Sequence, residues 1–265
     1  MADESRLVVL GTRGSIAVSG TDFVRYGGNT TAFALVVGDT TVAFVDAGTG
    51  LLAYRSHGLS LAPSVDIFLT HYHWDHIQGL SMFDAMWADD GEVVIHGPGG
   101  PERSLAEVIA PPWFPVPLAD APAVRYETVS RPVELHGLLI APFLVEHPQG
   151  AFGYRIDGPS ASLAIVTDHE AGTGRDAAIV EAIHGVDVLV HDAQYQPDEI
   201  ARRRGWGHST WMDAVVAAEM SGAQRLLLTS LDPRSTDGDV DRILRAAQER
   251  FPETDVARSG VEVSL

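Results

Sequence analysis

The feature that most constrains this chain is a set of short apolar runs that each stop at a histidine or an aspartate. The runs at 67–70, 143–146, 163–167 and 188–190 are followed by His71, His147, Asp168 and the pair His191-Asp192. Runs of this length, rich in valine, leucine and isoleucine, predict buried β-strands. In an open α/β sheet, ligands bind beyond the carboxyl ends of the strands. The sequence therefore predicts that these side chains converge at one edge of a sheet.

The wider pattern predicts an α/β protein. Nine apolar runs predict strands, at 7–11, 31–38, 41–48, 65–71, 92–98, 138–147, 162–168, 186–192 and 225–232. Apolar residues spaced i, i+3, i+4 and i+7 predict helices over 174–185, 209–222 and 239–251. Ser209 and Thr210 suit the start of the second helix as caps, and Asp213 suits its first turn. Because no linker interrupts the chain, we expect one domain over residues 1–265, with two sheets between layers of helices.

The proline-rich segment at 110–123 leaves two interpretations open. We expect a rigid surface loop in which Trp113 and Phe114 pack inward. In the alternative, the two aromatic side chains project over a pocket as a substrate lid.

Residues 70–76, with the sequence THYHWDH, place three imidazoles and one carboxylate close together. His71 and His73 are two apart on extended backbone, so both can bind one ion, while Asp75 and His76 at the following helix start can bind a second. Packing does not require such a group, and burying it unpaired would be costly. The ligand types favour zinc, with manganese or iron as alternatives, and one or two such ions serve hydrolysis. We interpret the remaining isolated histidines His57, His96, His136 and His184 as structural.

Composition excludes several other classes of protein. The formal charge of −18 would repel a large polyanion, so we expect no large nucleic acid as partner. The chain has neither cysteine nor lysine, which excludes thiolate chemistry, Schiff bases and the phosphate-loop lysine. Its start lacks a signal-peptide pattern, and no apolar run reaches the roughly 18–20 residues of a membrane span. We expect a cytoplasmic protein that does not bind membranes.

The spacing of His71, His73, Asp75 and His76 resembles the H-x-H-x-D-H signature of metallo-β-lactamase-fold hydrolases. The stretches LGTRGSI and YGGNTTAFAL resemble the opening strands of that fold, and FVDAGTGL resembles its Asp-Gly turn, so nearly the whole chain fits. The resemblance implies a four-layer αββα sandwich with the site along one edge, and it allows a homodimer. It further implies the ligands of two metals: His71, His73 and His147 for the first, Asp75 and His76 for the second, Asp168 bridging both, and Asp46 as a structural residue.

Within this superfamily the chain resembles the phosphodiesterase branch that includes ribonuclease Z. The stretch GWGHST at 205–210 is similar to a motif of that branch whose histidine is implicated in phosphate binding and proton donation. The resemblance implies that role for His208, and the adjacent helix N-terminus would suit a phosphate. The alternative is that His208 only caps the helix.

One position departs from the family pattern. Relatives carry a last metal-binding histidine after a late strand, whereas residues 228–233 here are LTSLDP, with Ser230 at that place. A hydroxyl is a weaker ligand than imidazole, so the second metal should bind less tightly unless Asp232, water or another residue substitutes. The site is then dinuclear with a weak second position, mononuclear, or a binder of metal without turnover.

These observations predict a metal-dependent hydrolase of a small-molecule phosphodiester, in which metal-bound hydroxide attacks phosphorus. Asp75 would hold the second ion and orient the nucleophile, and His208 would protonate the leaving oxygen. The one basic cluster, Arg202, Arg203 and Arg204, is either a solvated face or an anchor for a small substrate's phosphate. Two other functions stay open: hydrolysis of a lactone, thioester or other acyl ester, and a non-catalytic metal-binding sensor module.

Overall fold

The computed structural model describes residues 4–265, in which fourteen strands and five α-helices alternate with short 3₁₀ helices. The strands are β1 Ser5–Gly11, β2 Ala32–Val37, β3 Thr40–Val45, β4 Ser60–Phe68, β5 Glu92–Gly97, β6 Val124–Thr128, β7 Val133–Leu135, β8 Leu138–Val145, β9 Ala151–Asp157, β10 Ser162–Val166, β11 Val188–Asp192, β12 Arg225–Thr229, β13 Thr254–Val256 and β14 Glu262–Ser264. The α-helices are α1 Trp74–Ile77, α2 Pro101–Val108, α3 Asp176–Ala182, α4 Trp211–Ser221 and α5 Asp237–Arg250. The 3₁₀ helices are Thr21–Phe23, Thr49–His57, Gln78–Met82, Asp84–Trp87, Leu118–Asp120 and Ile200–Arg202.

The strands form two seven-stranded sheets with matching organisation. The first has the order β14-β1-β2-β3-β4-β5-β6, and the second has the order β13-β12-β11-β10-β9-β8-β7. In each sheet one part is antiparallel and the other is parallel, with parallel pairing from β3 to β6 and from β10 to β13. The parallel strands are the ones that need long crossover connections, and these connections carry the helices.

Three apolar cores separate four layers. One core lies between the sheets and includes Phe33, Phe68 and Leu227, all fully buried. A second covers the outer face of the first sheet with α2 and the 3₁₀ helices, and a third lies between the second sheet and helices α3, α4 and α5. This arrangement confirms the predicted four-layer αββα sandwich. Across residues 4–265, no helix is long and apolar enough to cross a membrane.

All nine predicted strands and the three predicted helices are present, with ends shifted by a few residues. Five strands and helix α2 were not predicted. Strands β7, β13 and β14 have only three residues each, β6 is mostly polar, and β9 contains Gly153, so none gives a strong periodic signal. That residues 1–265 form one domain stays a prediction.

The proline-rich segment has one aromatic side chain inside and one outside. Phe114 packs against the outer core of the first sheet, as expected. The prediction for Trp113 was wrong, because this side chain is 75% exposed and lines a surface cavity of about 250 Å³ with Trp74 and Val108. The amides of both aromatic residues donate to the carbonyl oxygen of Ala110, a tight turn that directs the two adjacent side chains differently.

Helix α5 begins with a capping box that offers a test of the local fold. The Thr236 hydroxyl accepts from the Asp239 amide, and the Asp239 carboxylate accepts from the Thr236 amide at 2.8 Å. We expect Thr236→Ala to lower the free energy of unfolding by about 1 kcal/mol, because the Asp239 amide loses the hydroxyl that accepts from it and the Asp239 carboxylate loses the hydrogen bond from that hydroxyl. Urea denaturation would measure the change. Thr21→Ala, at an exposed threonine, is the control and should change stability by less than about 0.5 kcal/mol.

Candidate metal centre

The ends of several strands from both sheets meet at one edge of the sandwich. His71 lies just after β4, His147 after β8 and Asp168 after β10, as the sequence predicted. Five loop residues at this edge have left-handed backbone although none is glycine: Ser15 (φ 63°), Asp46 (φ 60°), Gln149 (φ 66°), Asp168 (φ 49°) and Ser230 (φ 53°). Such a conformation is uncommon for these residue types and clusters at functional sites.

The predicted site residues lie within reach of one another in overlapping groups. In each group one donor atom per residue lies within 4.8 Å of the others, and the groups are His71-His73-His147-Asp168, Asp75-His76-Asp168, and Asp168-Asp192-His208. Asp168, which is 2% exposed, belongs to all three. The histidines that we interpreted as structural, and His191, belong to none of these groups.

Hydrogen bonds on the outer sides of the imidazoles determine which nitrogen faces the centre. The carbonyl oxygen of Gly207 lies 2.7 Å from Nδ1 of His147 and accepts its proton. The Thr70 hydroxyl donates to Asp46 at 3.0 Å, so it accepts from Nδ1 of His71 at 2.9 Å. Nε2 of His73 lies 3.0 Å from Oε1 of Gln149 and donates to it. The unprotonated nitrogens of all three rings therefore face inward.

The lone pairs of the inward-facing nitrogens repel one another unless a cation lies between them. Nδ1 of His73 and Nε2 of His147 lie 2.9 Å apart with both lone pairs directed at the centre. Nε2 of His71 is buried and has no hydrogen-bond partner among the described residues. Nε2 of His71 and Nε2 of His147 lie 3.5 and 3.7 Å from Oδ2 of Asp168. Three imidazole nitrogens with one carboxylate are a donor set that suits zinc.

The second donor group, Asp75-His76-Asp168, has two carboxylates and one imidazole, whereas the first has three imidazoles and one carboxylate. Asp46 accepts from Nδ1 of His76 at 2.8 Å, which directs Nε2 towards Oδ2 of Asp168 at 3.1 Å and Oδ2 of Asp75 at 3.4 Å. Burial disfavours a charged His76, but Asp168, Asp46 and Asp75 together raise its pKa well above the ordinary value. Oδ2 of Asp75 also accepts from the Ser15 amide at 2.7 Å. Asp46 contacts only the outer side of His76, consistent with the structural role that the resemblance implied.

His208 lies beside the donor groups and is held by a buried carboxylate. Oδ2 of Asp192 accepts from Nδ1 of His208 at 2.8 Å, and Oδ1 of Asp168 lies 3.9 Å from the same nitrogen. Burial disfavours protonation of His208, but Asp192, Asp168 and Asp75 outweigh it and raise its pKa to about 9. Helix α4 is capped by Thr210 through a capping box with Asp213. His208 is therefore not the helix cap.

Sequence analysis assigned no specific role to two residues that position this arrangement. Asp192 was noted only as the end of a strand, and its amide partners at Gln194 and His169 fix the carboxylate. Glu170, 5% exposed, accepts from the amides of Gly205 and Gly207 at 2.8 and 2.9 Å and so fixes the loop before His208. The sequence offered two signals for these residues: His169-Glu170, which follows Asp168, and His191-Asp192 at the end of β11. The sequence does not show which side chain of each pair points towards the metal centre, and only the fold does.

Ser230 occupies the edge of the second group, as the late-strand position predicted. Its hydroxyl donates to Oδ1 of Asp168 at 3.3 Å, and it is fully buried. Asp232 was considered as a substitute ligand, but its Oδ1 accepts from Nε of Arg234 at 2.9 Å. It belongs to none of the three donor groups. The second group therefore has three donor residues where the first has four.

The fold and the donor groups together define a hydrolase of the metallo-β-lactamase type. A family model described as "Beta-lactamase superfamily domain" matches residues 41–229, more than half of the chain. The chain belongs to this superfamily, which implies divalent metal ions at the His/Asp centre.

Individual relatives agree with this membership. The chain is 31% identical to ribonuclease Z of Salinibacter ruber over 273 residues, which covers 82% of this chain and 83% of that protein. It is also 31% identical to an uncharacterized protein of Mycobacterium tuberculosis, covering 89% and 84% of the two chains. The metallo-beta-lactamase fold protein YhfI from Bacillus subtilis superimposes with a TM-score of 0.74 at 19% identity, over 99% and 100% of the two chains. The predicted superfamily and its ribonuclease Z-like branch are confirmed.

Gly207 offers a test of how His147 is positioned. This residue has φ 83°, and a Cβ added to it would lie 2.1 Å from Nδ1 of His147. We expect Gly207→Ala to lower the affinity for zinc at least about tenfold, because the imidazole must move away from the Gly207 carbonyl that orients it. A competition titration with a chelating dye would measure the affinity.

Gly205→Ala is the matched control. Gly205 has φ 81°, and an added Cβ would meet nothing within 4 Å, so this variant carries the backbone strain without the collision. Equal loss of zinc affinity in both variants would show that strain alone, and not the position of His147, controls binding.

Proposed function

We propose that this protein is a metal-dependent phosphodiesterase that hydrolyses small phosphodiesters. The observation that carries the proposal is the Asp192–His208 pair, at 2.8 Å, directly beside the His/Asp centre. A buried carboxylate that holds one nitrogen of a histidine leaves the other nitrogen directed for proton transfer. Such a proton donor serves a reaction in which an alkoxide or aryloxide leaves.

The donor groups assign the residues that would hold the ions. His71, His73, His147 and Asp168 would bind the first, and Asp75, His76 and Asp168 the second, with zinc favoured and manganese or iron as alternatives. When bound, such ions lower the pKa of a water molecule and polarise the phosphoryl group. The buried Asp168, shared by both groups, would fix their spacing.

The side chains of this chain then supply orientation and protons. Asp75 is held through Oδ2 by the Ser15 amide, which leaves Oδ1 to accept a hydrogen bond from the attacking water. Nε2 of His208 would donate a proton to the leaving ester oxygen. Asp192 would keep His208 in one orientation and stabilise its protonated form.

The size of the site and the charge of the chain support a compact substrate. A cavity of about 550 Å³ adjoins the centre, lined by His71, Tyr72 and His73 on one side and by residues 148–152 on the other. This volume is in the range of small-molecule sites. The net charge of −18 would oppose a long polyanion. Similarity to the Salinibacter ruber ribonuclease Z supports the phosphodiester bond rather than an acyl ester.

The alternative functions make different demands on the site. Acyl-ester hydrolysis would use the same donor groups, and His208 could protonate its leaving alkoxide as well, so the similarity to ribonuclease Z is what favours the phosphodiester bond. The sensor alternative rests on Ser230, and it requires no turnover of any ester.

Zinc as the natural ion, a homodimer and a cytoplasmic location stay predictions.

Hydrolysis of the dinucleotide ApA, whose leaving group is an alkoxide that needs a proton, with added zinc or manganese tests the proposal. We expect His208→Ala to lower kcat by about 100- to 10 000-fold, since the leaving oxygen loses its proton donor. Bound metal, measured by mass spectrometry, should stay within twofold of the wild type. His184→Ala removes an exposed histidine outside the donor groups and should leave kcat unchanged.

Unchanged kcat in His208→Ala would contradict the assigned role. Absence of phosphodiester hydrolysis in the wild type, with hydrolysis of lactones or thioesters by the same preparation, would favour the acyl-ester alternative. Absence of both would favour the sensor alternative.

Ser230, which stands where the family pattern has a metal-binding histidine, predicts that two metal ions bind with different affinities. We expect the wild type to bind one zinc ion tightly and a second more weakly, because the second group has one residue fewer. Ser230→His should strengthen the second binding step at least about tenfold, and Ser230→Ala should leave both steps within threefold. Calorimetric titration of metal-free protein measures both steps. Two equally tight ions in the wild type would contradict the asymmetry.

A further inference from the structure

The three consecutive arginines before the His208 loop differ in their surroundings. Arg202 and Arg204 are exposed, and Arg204 donates to the Ala171 carbonyl oxygen at 2.8 Å. Arg203 is half-buried between two aromatic rings, with its guanidinium carbon 4.6 Å from the Trp206 ring centre and 5.6 Å from that of Tyr195. Cation–π contact with two rings restricts the movement of the guanidinium. Arg202 and Arg204 therefore fit the interpretation of the cluster as a solvated face, and Arg203 does not.

Arg203 has no charged partner of its own. Its guanidinium makes no ion pair and no side-chain hydrogen bond within residues 4–265, although the protein carries twice as many acidic as basic residues. The nearby Asp232 is bound by Arg234, which also lies 3.9 Å from Glu199. A positioned guanidinium with unused donors is the group that proteins use to bind phosphate through two parallel hydrogen bonds.

These donors line a cavity beside the metal centre. The cavity, of about 240 Å³, is bordered by Arg203, Trp206, Gln194, Ser15 and Asp232. It shares no lining residue with the larger cavity at His71 and His73. The Gln194 side-chain amide donates to the Ser15 hydroxyl at 3.2 Å, and the Ser15 backbone amide donates to Asp75. One residue therefore separates this cavity from the second donor group.

We propose that this cavity binds a second phosphate of the substrate, so that the preferred substrates are phosphodiesters with an additional terminal phosphate. This inference rests on the proposed function, because the scissile phosphodiester must lie at the metal centre while the other phosphate contacts Arg203. Asp232 lines the same cavity, but Arg234 neutralises it, so the net charge there is positive. A dianionic phosphate monoester gains more from this charge than a neutral or singly charged group.

The test uses one pair of substrates that differ only in the terminal phosphate: the dinucleotide ApA and its 5′-phosphorylated form pApA. We expect the wild type with bound metal to hydrolyse pApA with a kcat/KM about tenfold higher than ApA. Arg203→Met, which keeps an unbranched apolar stem without the charged guanidinium, should remove this preference and leave kcat/KM for ApA within twofold. Arg203→Lys, which keeps the charge without the planar fork, should retain part of the preference.

Arg202→Met is the matched control, since Arg202 is an exposed arginine one position away. It should keep the wild-type preference for pApA. Thermal unfolding of each variant checks that replacing Arg203 has not disordered the Tyr195–Trp206 segment. Absence of a pApA preference in the wild type, or an equal loss for both dinucleotides in Arg203→Met, would overturn the proposal.

Direct binding separates this inference from the proposed function. If the wild type hydrolyses neither dinucleotide, the phosphodiesterase proposal fails, and calorimetry with pApA and ApA on the same proteins still tests Arg203. Binding of pApA at least fivefold tighter than ApA in the wild type, but not in Arg203→Met, would support the phosphate site. Equal binding of the two dinucleotides to the wild type would overturn it.

Discussion

The carboxylate of Asp168 is the group on which the arrangement at the sheet edge depends. It is almost fully buried and lies among inward-facing nitrogens of His71, His76 and His147. Burial of an ionised carboxylate is unfavourable unless positive charge and hydrogen bonds compensate it, and the unprotonated nitrogens of His71 and His147 that face it add to the cost. A cation among these atoms removes both penalties. The surrounding fold can be understood as the scaffold that keeps this group of donors together.

The scaffold acts through backbone conformation and through hydrogen bonds on the outer sides of the ligands. Asp46 and Asp168 occupy left-handed backbone where strands β3 and β10 end, which directs their carboxylates into the edge of the sandwich. The Gly207 carbonyl and the Thr70 hydroxyl fix the tautomers of two imidazoles. These outer contacts come from segments far apart in the chain, so the two sheets must pack before the donors can face one another. Binding of metal should in turn stabilise the packed state, because only the folded chain offers the complete set.

Local patterns in the sequence were sufficient for nine of the fourteen strands, for two sheets between layers of helices, and for the residues of the HxHxDH segment. They also placed His147 and Asp168 at the right edge, since strand ends are visible as apolar runs. Properties set by tertiary contact were not predictable. The partner of His208, the exposure of Trp113 and the isolation of Arg203 between two aromatic rings depend on which face of a loop turns inward, and no short-range periodicity encodes that. The edge strands β7, β13 and β14 were missed because three residues are too few to define a pattern.

Anomalous scattering from crystals grown with zinc tests the central claim most directly, because it locates the ion independently of any substrate. The account predicts a strong peak among His71, His73, His147 and Asp168, and a weaker peak beside Asp75 and His76 whose occupancy rises with zinc concentration. Well-ordered side chains at these positions, with no peak between them at saturating zinc, would contradict it.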